Sequence, residues 1–313
     1  MGGCTVSKEK NFLKFLDRLR DPSEKTLAFL LLAPAFLLLA LIVAYPIGKL
    51  IWNSFYDLRL SGGTGAVKFI AWQNYVDVVN DKDFWNAAKN TLLITLITVP
   101  GALVAGLGLA MLANLPFKRR WPVRLALLLP WALPLSFAGL IFAWFFHTEY
   151  GVVNDIVRRF SGRSFNDGQT MWLLTPSYAF AAICLTVIWK TSSFMALILL
   201  AGLQMIPNSL YEAAEIDGAS KWQQFCQVTI PMLMPSIIVA LIFRTITALQ
   251  TFDIPYTMTK GGPGNATETL AMLIHKTTIE YLDVGYGSTL AVFMFLMSMC
   301  VTAVYLKRIG GDQ

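Results

Sequence analysis

Long stretches without a charged residue are the feature of this sequence that most limits how it can fold. There are seven of them, each 21 to 28 residues long. About 20 apolar residues in a helix cross the ~30 Å hydrocarbon core of a bilayer, whereas a soluble domain has room for one such helix but not six or seven. The sequence therefore predicts an all-α, polytopic membrane protein. The stretches are 26–48, 90–117, 125–148, 168–189, 191–211, 222–243 and 284–306.

The composition agrees with a membrane protein and excludes other classes. Apolar residues make up 56% of the 313 residues and charged residues 14%, against roughly 45–50% and 25% in soluble domains. The apolar content is too high for a disordered chain. Four cysteines in a chain of this length are too few for a secreted disulfide scaffold.

We predict six transmembrane helices, which together form a transmembrane domain from 26 to 306. The fourth helix passes through Lys190 and the fifth through Arg244. The residues before Pro231 are too polar to face lipid, so we place 222–231 in a loop. The predicted spans are 26–52, 90–115, 125–147, 177–204, 232–253 and 285–306.

The basic residues between the spans predict the orientation, because cytoplasmic loops carry an excess of Lys and Arg. With the N-terminus inside, the inner segments hold 13 basic residues in 68 positions and the outer segments hold 9 in 97. Both termini are therefore expected in the cytoplasm. The strongest anchor is the cluster Lys118, Arg119, Arg120 and Arg124. The net charge of +6 thus reflects the basic residues of the cytoplasmic segments, and no nucleic-acid partner is expected.

Residues 1–25 are predicted to form a cytoplasmic N-terminal segment. Phe12, Phe15, Leu16 and Leu19 recur at helical spacing between basic residues, a pattern typical of an amphipathic helix on a lipid surface. A frayed tail is the alternative. At the other end, residues 307–313 are predicted to be a cytoplasmic tail.

The sequence lacks the patterns of an enzyme. It has no G-x-x-x-x-G-K-[ST] phosphate loop, no G-x-S-x-G and no H-E-x-x-H. Its two histidines, His147 and His275, lie far apart, and neither has a metal-type partner at i+3 or i+4. The predicted spans contain no cluster of ionisable groups. We therefore expect no catalytic residue, no cofactor and no metal in this chain.

The loop 205–231 is more regular than a passive connector. Pro207 is expected to end the fourth span, and Ser209 with Glu212 forms an S-x-x-E capping box that predicts a new short helix. Gly218 is expected to end that helix. Ser220 and Gln223 form a second capping box. The sequence predicts a helix, a glycine turn and a second helix, with a small-residue face that lets another protein approach closely.

This loop resembles the EAA loop of ABC importer permeases. Glu212-Ala213-Ala214, Gly218 after three more residues, and Val228-Thr229-Ile230-Pro231 after nine more are similar to the family form E-A-A, three residues, G, nine residues, I-x-L-P. The string EAAEIDGASKWQQF resembles the sugar-permease branch. Further blocks that resemble the family cover residues 45 to 290: Tyr45-Pro46, Ser54-Phe55, Phe69, Asn74-Tyr75, Trp189-Lys190-Thr191, Phe252-Asp253, Tyr256 and Gly261-Gly262-Pro263. Ser193 stands where the family would lead us to expect a proline.

The resemblance implies a type I ABC importer permease fold with a cytoplasmic coupling loop, in a bacterial or archaeal inner (plasma) membrane. It also implies the partners: a second homologous permease, two ABC ATPase subunits that bind ATP and Mg, and an extracellular solute-binding protein. ATPase closure would push the coupling helices together and switch the path between outward and inward access. The residues implied in ATPase coupling are Glu212, Ala213, Ala214, Asp217 and Gly218.

Polar residues within the fourth and fifth spans are candidates for the substrate path. A basic group costs ~2.5–3.5 kcal/mol at a helix centre on insertion scales, so such groups usually face a cavity or a partner. Arg244, Thr247 and Thr251 are expected to share one helical face. The alternative is that Lys190 and Arg244 are structural and pair with backbone carbonyls or with the second permease. The candidate path residues are Trp189, Lys190, Thr191, Phe194, Arg244, Thr247 and Thr251.

The blocks WKTSSFMALILLAGL and LIFRTITALQTFD most resemble the maltose/trehalose group. This resemblance implies a neutral di- or oligosaccharide as the transported sugar. An anionic solute, such as glycerol phosphate or a uronate, is the alternative that would use both basic residues. An ion-coupled secondary transporter is disfavoured because no acidic residue lies well inside any predicted span.

Overall fold

The computed structural model describes residues 24–60, 67–115, 121–162 and 170–310, and the elements named below come from these ranges. By the contacts between its residues the chain divides into two compact units, and the boundary along the sequence lies between Asn53 and Ser54. Of the segments predicted from sequence, residues 1–23 of the N-terminal segment, the basic residues Lys118 to Arg120, and residues 311–313 of the tail lie outside the described residues.

The described part of the first unit is one run of helix. Helix α1 spans Glu24–Leu39, a π-helical turn spans Ala40–Ala44, and α2 spans Tyr45–Asn53. Within Leu27–Asn53 an 18-residue stretch has a mean hydropathy of 2.9, and none of that stretch is buried. A helix that is apolar all round without covering a protein core suits a lipid environment, which agrees with the predicted first span.

The second unit begins with a small cap of strands and short helices. Strands β1 (Tyr56–Asp57) and β2 (Lys68–Phe69) pair antiparallel, and α3 follows at Gln73–Asn80. The Asn74 side-chain amide donates to the backbone carbonyls of Ser54 and Tyr56, at 2.9 and 3.1 Å. These bonds tie α3 to the start of β1.

Two long helices form the centre of the second unit. Helix α4 spans Lys82–Asn114 and α8 spans Pro176–Met205. They cross closely at Gly106, where an added Cβ would lie 2.6 Å from the Met195 Cβ. Helix α11 (Ile230–Leu249) packs on both, and Leu199 and Leu233 are fully buried in their shared apolar cluster. The last helix, α14, spans Val284–Gly310.

The predicted third span, 125–147, is not one helix. The structure has α5 at Trp121–Ala132 and α6 at Leu135–Phe145, with Pro134 extended between them (φ −58°, ψ 144°). A proline has no amide hydrogen, and its ring disfavours helical backbone at the residue before it, so the helix breaks at Leu133. Within the described ranges, five helical runs are long and apolar enough to cross a membrane, and α6 is a shorter apolar helix. The count of six spans stays a prediction.

The predicted separation of 222–231 from the fifth span is wrong, because one helical run joins them. Helix α10 (Lys221–Gln224), a π-helical turn (Phe225–Thr229) and α11 run on without a break, so helical backbone extends 29 residues from Lys221 to Leu249. The π-turn precedes Pro231, and the Ile230 amide bonds to the Phe225 carbonyl. A wider turn relieves the contact between a proline ring and the preceding turn of helix.

Other boundaries also differ from the predictions. The second span begins at Lys82 instead of 90, because Asp81 caps it through the Asp83 amide at 2.9 Å. The fifth span ends at Leu249 instead of 253. The short helix predicted between Pro207 and Gly218 is α9 (Asn208–Ile216). Short helices also fill connections that the sequence left open: α7 (Val152–Ser161), α12 (Asp253–Thr259) and α13 (Leu270–His275), the last followed by a π-turn at Lys276–Glu280.

Candidate functional site

A cavity of about 100 Å³ lies where α8, α11 and α12 meet. Four of the seven path residues predicted from sequence line it, namely Thr191, Arg244, Thr247 and Thr251. We call it the path cavity. Its other lining residues are Leu135, Val187, Gln250, Phe252, Asp253 and Ile254. Its volume is below the ~300–1,000 Å³ of typical ligand pockets.

Arg244 is the charged group deepest in the path cavity. It is 3% exposed, its Nη2 donates to the Thr98 hydroxyl at 3.0 Å, and its Nη1 donates to the Thr247 hydroxyl at 3.4 Å. Within the described ranges its Nε has no hydrogen-bond partner and no carboxylate forms an ion pair with it. The guanidinium is therefore held by neutral hydroxyls and keeps an uncompensated positive charge.

The rim of the path cavity is built from the chain that follows α11. The helix ends at Leu249, so Thr251 lies beyond it and does not share a helical face with Arg244 and Thr247, contrary to the prediction. Thr251 still lines the cavity, because the chain turns back there into α12. Asp253 begins α12 and accepts a hydrogen bond from the Ser136 hydroxyl at 3.2 Å. This aspartate and Gln250 were missed by the sequence analysis.

Lys190 points to the broken helix and is not among the lining residues of the path cavity. It is 5% exposed, and its Nζ donates to the Trp131 carbonyl at 2.8 Å. This carbonyl lies in the last turn of α5, where the break at Pro134 leaves carbonyls without helical partners. A cation is stabilising at a helix C-terminus. The bond is the backbone-carbonyl pairing left open as the alternative for Lys190.

The two aromatic candidates also lie outside the path cavity. The Trp189 ring packs against Phe142 with their centroids 5.0 Å apart, so it joins α8 to α6. Phe194 is half-buried on α8. The structure thus separates the predicted set into four residues that line one cavity and three that do not, of which Lys190 and Trp189 contact α5 and α6.

The segment around Gly218 forms the predicted helix, turn and helix. The predicted Ser209–Glu212 capping box is wrong, because α9 starts directly after Pro207 without a side-chain cap and Ser209 is already helical. At the other end Gly218 has φ +77°, its amide bonds to the Glu215 carbonyl, and the Ala219 amide bonds to the Ala214 carbonyl. This is a Schellman motif, which favours glycine at the left-handed position.

The second helix of this segment starts as predicted. The Ser220 side chain accepts from the Gln223 amide at 3.3 Å, and the Gln223 side chain accepts from the Ser220 amide at 2.7 Å. Lys221 then pairs with Glu215 across the turn, and the Lys221 ammonium holds the pKa of that carboxyl below its usual range. The Ser220 capping box and the Lys221–Glu215 ion pair thereby hold the turn in place.

The outer surface of this turn is exposed and partly apolar. Glu212, Ala213, Asp217 and Gly218 are exposed, and Ala214 is half-buried. Large apolar side chains surround them, and the sequence analysis did not single these out: Met205 is 82% exposed, Ile216 86% and Trp222 71%. Exposed apolar groups rimmed by polar ones are typical of a protein–protein contact. We call this surface the coupling turn.

The described residues contain no group of three or more His, Cys, Asp or Glu side chains that could hold a metal ion. His147 stacks on Tyr150 with their centroids 3.6 Å apart, and His275 lies beside Phe252 and Tyr256.

Comparison with known proteins agrees with this geometry. The family model described as "Binding-protein-dependent transport system inner membrane component" matches residues 102–308. The sulfoquinovosyl glycerol transport system permease protein SmoG of Agrobacterium fabrum is 63% identical over 92% of each chain. The trehalose/maltose transport system permease protein MalF of Thermococcus litoralis is 36% identical, over 91% of this chain and 94% of the relative.

A solved structure shows the same fold. It is a bacterial ABC transporter involved in import of the acidic polysaccharide alginate, and it matches with a TM-score of 0.77 at 20% identity, over 94% of this chain and 97% of that one. The chain belongs to the family of inner-membrane components of binding-protein-dependent transport systems. It is a multi-pass membrane protein and the permease component of an ABC importer, and is not itself an enzyme.

Proposed function

We propose that this permease imports a sugar glycoside that carries an anionic group, and that Arg244 contacts that group. The uncompensated guanidinium in the path cavity carries the proposal. A buried charge without a partner is costly, and an anionic solute would supply the partner during transport. Its Nε is the free donor, and a sulfonate or carboxylate accepts hydrogen bonds from a guanidinium in a fork-like geometry.

The hydroxyls and the amide around Arg244 suit the rest of such a solute. Thr191, Thr247, Thr251 and Gln250 line the path cavity, and sugar hydroxyls exchange hydrogen bonds with groups of this kind. SmoG, at 63% identity, is named for sulfoquinovosyl glycerol, a sulfonated glycoside. This name and the guanidinium support the same class of solute.

A neutral disaccharide of the maltose/trehalose kind is the second candidate. Most of the polar groups in the path cavity are neutral, and two relatives at 36% and 33% identity are named for trehalose or maltose transport. In that case Arg244 would act as a structural group, held by Thr98 and Thr247.

The partners follow from the surfaces that this chain leaves open. The path cavity is too small for a glycoside, so we propose a second permease that supplies the facing wall. The coupling turn would contact two ABC ATPases, which bind ATP and Mg and hydrolyse the ATP, with Glu212 facing a basic residue and Gly218 allowing close approach. An extracellular binding protein would deliver the solute, and both termini would lie in the cytoplasm.

The test is uptake by the assembled complex in liposomes with its binding protein. The wild-type complex is expected to import sulfoquinovosyl glycerol. The variant Thr247→Trp places a bulky ring in the path cavity, so transport should fall at least tenfold while the complex still assembles. Phe243→Trp is the matched control, because Phe243 is exposed on the same helix and does not line the cavity.

Arg244 separates the two candidate solutes. Arg244→Gln should lower uptake of the sulfonated glycoside about tenfold or more, corresponding to the ~1.5–3 kcal/mol of a hydrogen bond to a charged group, and leave trehalose uptake unchanged or improved. Uptake of trehalose but not of sulfoquinovosyl glycerol by the wild-type complex would contradict the proposal. Normal transport by Thr247→Trp would show that this cavity is not the path.

A further inference from the structure

A second cavity lies next to the path cavity, at the end of α11 opposite the coupling turn. Its volume is about 260 Å³, more than twice that of the path cavity and close to the lower limit of ~300 Å³ for ligand pockets. Helix α12, α13 and the π-turn after α13 form its walls. Its lining residues include Tyr256, Lys260, Glu268, His275, Lys276 and Glu280.

Glu268 is a buried carboxylate with one oxygen unused. The residue is 3% exposed, its Oε1 lies 3.3 Å from the Lys276 Nζ, and its Oε2 has no hydrogen-bond partner. Its backbone is held in place, because the Asn90 side-chain amide donates to the Glu268 backbone carbonyl at 3.0 Å. Buried carboxylate oxygens are normally bonded, so the free Oε2 is an acceptor that lacks its donor.

The charges in the second cavity leave one ammonium available. Burial disfavours the charged form of Lys276, but the Glu268 carboxylate outweighs burial and raises the pKa of this lysine, so its ammonium is retained at neutral pH and is taken up by Glu268. Lys260 is exposed, and it forms no ion pair with any residue in the described ranges. Among the described residues the cavity thus offers the Lys260 ammonium and the unbonded Glu268 Oε2, beside the Glu280 carboxylate, whose Oε1 lies 3.9 Å from His275 Nδ1.

A single aromatic residue connects the two cavities. Phe252 lines the path cavity, and it stacks on Tyr256 with their centroids 4.9 Å apart and the rings 18° from parallel. Its centroid is 5.1 Å from that of His275. Both Tyr256 and His275 line the second cavity. The Phe252 ring is therefore part of the wall between the two cavities.

We propose that the second cavity is an outer binding subsite that holds the glycoside before it enters the path cavity. Sugar hydroxyls would donate to Glu268 Oε2, the sugar ring would lie against Tyr256, and the anionic group would pair with Lys260. These are the three chemical features of an anionic glycoside, and the cavity offers one group for each. The inference rests on the proposed function, because that proposal supplies the class of solute.

The experiment measures solute binding to the assembled complex in nanodiscs by saturation-transfer NMR, with sulfoquinovosyl glycerol as the probe. The starting variant is Thr247→Trp, which fills the path cavity and leaves the second cavity open. Residual binding is expected in this variant. Adding Glu268→Gln or Lys260→Gln should weaken it about tenfold each, whereas Lys82→Gln, an exposed lysine on α4, is the charge-matched control and should change it less than twofold.

The possible outcomes are distinct. Lys260→Gln guards against misfolding, because Lys260 is exposed and unpaired among the described residues while Glu268 is buried. Absence of binding to the Thr247→Trp complex, or equal binding by the Lys260→Gln and Lys82→Gln forms, would overturn the subsite. If Glu268→Gln weakens only attachment of the empty binding protein, Glu268 contacts that protein and the subsite is also overturned. Failure of the proposed function shows separately, as absence of uptake by the wild-type complex.

Discussion

The crossing of α4 and α8 at Gly106 gives a sharp stability prediction. A Cβ added at Gly106 would lie 2.6 Å from the Met195 Cβ, 2.9 Å from the Ser192 carbonyl oxygen and 3.1 Å from the Ala196 amide nitrogen. Carbon atoms in contact prefer about 3.5–4.0 Å, so the helices must separate by roughly 1 Å. Two of the three obstructing atoms are backbone and the third is a Cβ, so no side chain can rotate away.

The magnitude follows from two opposing effects. Alanine is favoured over glycine inside a helix by about 1 kcal/mol, whereas overpacking a close contact costs about 1–3 kcal/mol. Separating the helices also weakens the packing along the rest of the seam, since a gap of 0.5–1 Å removes about a quarter to a half of each dispersion contact. We expect Gly106→Ala to destabilise the protein by about 1–2 kcal/mol.

Gly108 is the matched control on the same helix. An added Cβ there meets nothing within 4 Å, so Gly108→Ala keeps the helix-propensity gain without the steric cost. The assay is thermal unfolding of the detergent-purified complex, followed by loss of its monodisperse chromatographic peak. Gly106→Ala should lower the midpoint by several degrees and Gly108→Ala should leave it unchanged or raise it. Equal midpoints for the two variants would refute the close crossing.

Two further predictions concern the coupling turn and the orientation. Gly218→Val forces a branched residue into the left-handed region, which costs about 1–2 kcal/mol in backbone strain. ATP hydrolysis stimulated by the loaded binding protein should therefore fall while membrane insertion persists. Normal stimulation would argue against ATPase contact at this turn. In a cysteine-free background, Phe160→Cys should react with an impermeant thiol reagent from outside and Ile216→Cys only after permeabilisation. Both positions are highly exposed, at 91% and 86%, so the reverse labelling would invert the orientation.

The sequence predicted the helical class and the position of most spans because charge-free stretches and hydrophobic length act locally. It failed where one residue changes the backbone. Pro134 breaks the third span, although the stretch around it is uniformly apolar. Conversely, polarity suggested that 222–231 is separate from the fifth span, whereas a π-turn joins the helix capped by Ser220 directly to α11.

The candidate site was predicted in part for a similar reason. Arg244 and Thr247 lie one helical turn apart, so their shared face could be inferred from spacing. Lys190 looked equivalent from its polarity, but its bond goes to the Trp131 carbonyl, a partner created by the break in another helix. Glu268 and Asp253 come from a connection between spans, and only the folded chain places them beside a cavity.

The uninterrupted helix from Lys221 to Leu249 has a mechanical consequence. At 1.5 Å per residue it is roughly 43 Å long, and it carries the coupling turn at one end and Arg244 and Thr247 near the other. A flexible loop between them would absorb a displacement, whereas helical backbone transmits it along its axis. A displacement of the turn would therefore reach the wall of the path cavity through one helical run, whose easiest points to bend are the π-turn at Phe225–Thr229 and the prolines Pro231 and Pro235. One helical run would then connect movement of the coupling turn with the position of Arg244 and Thr247.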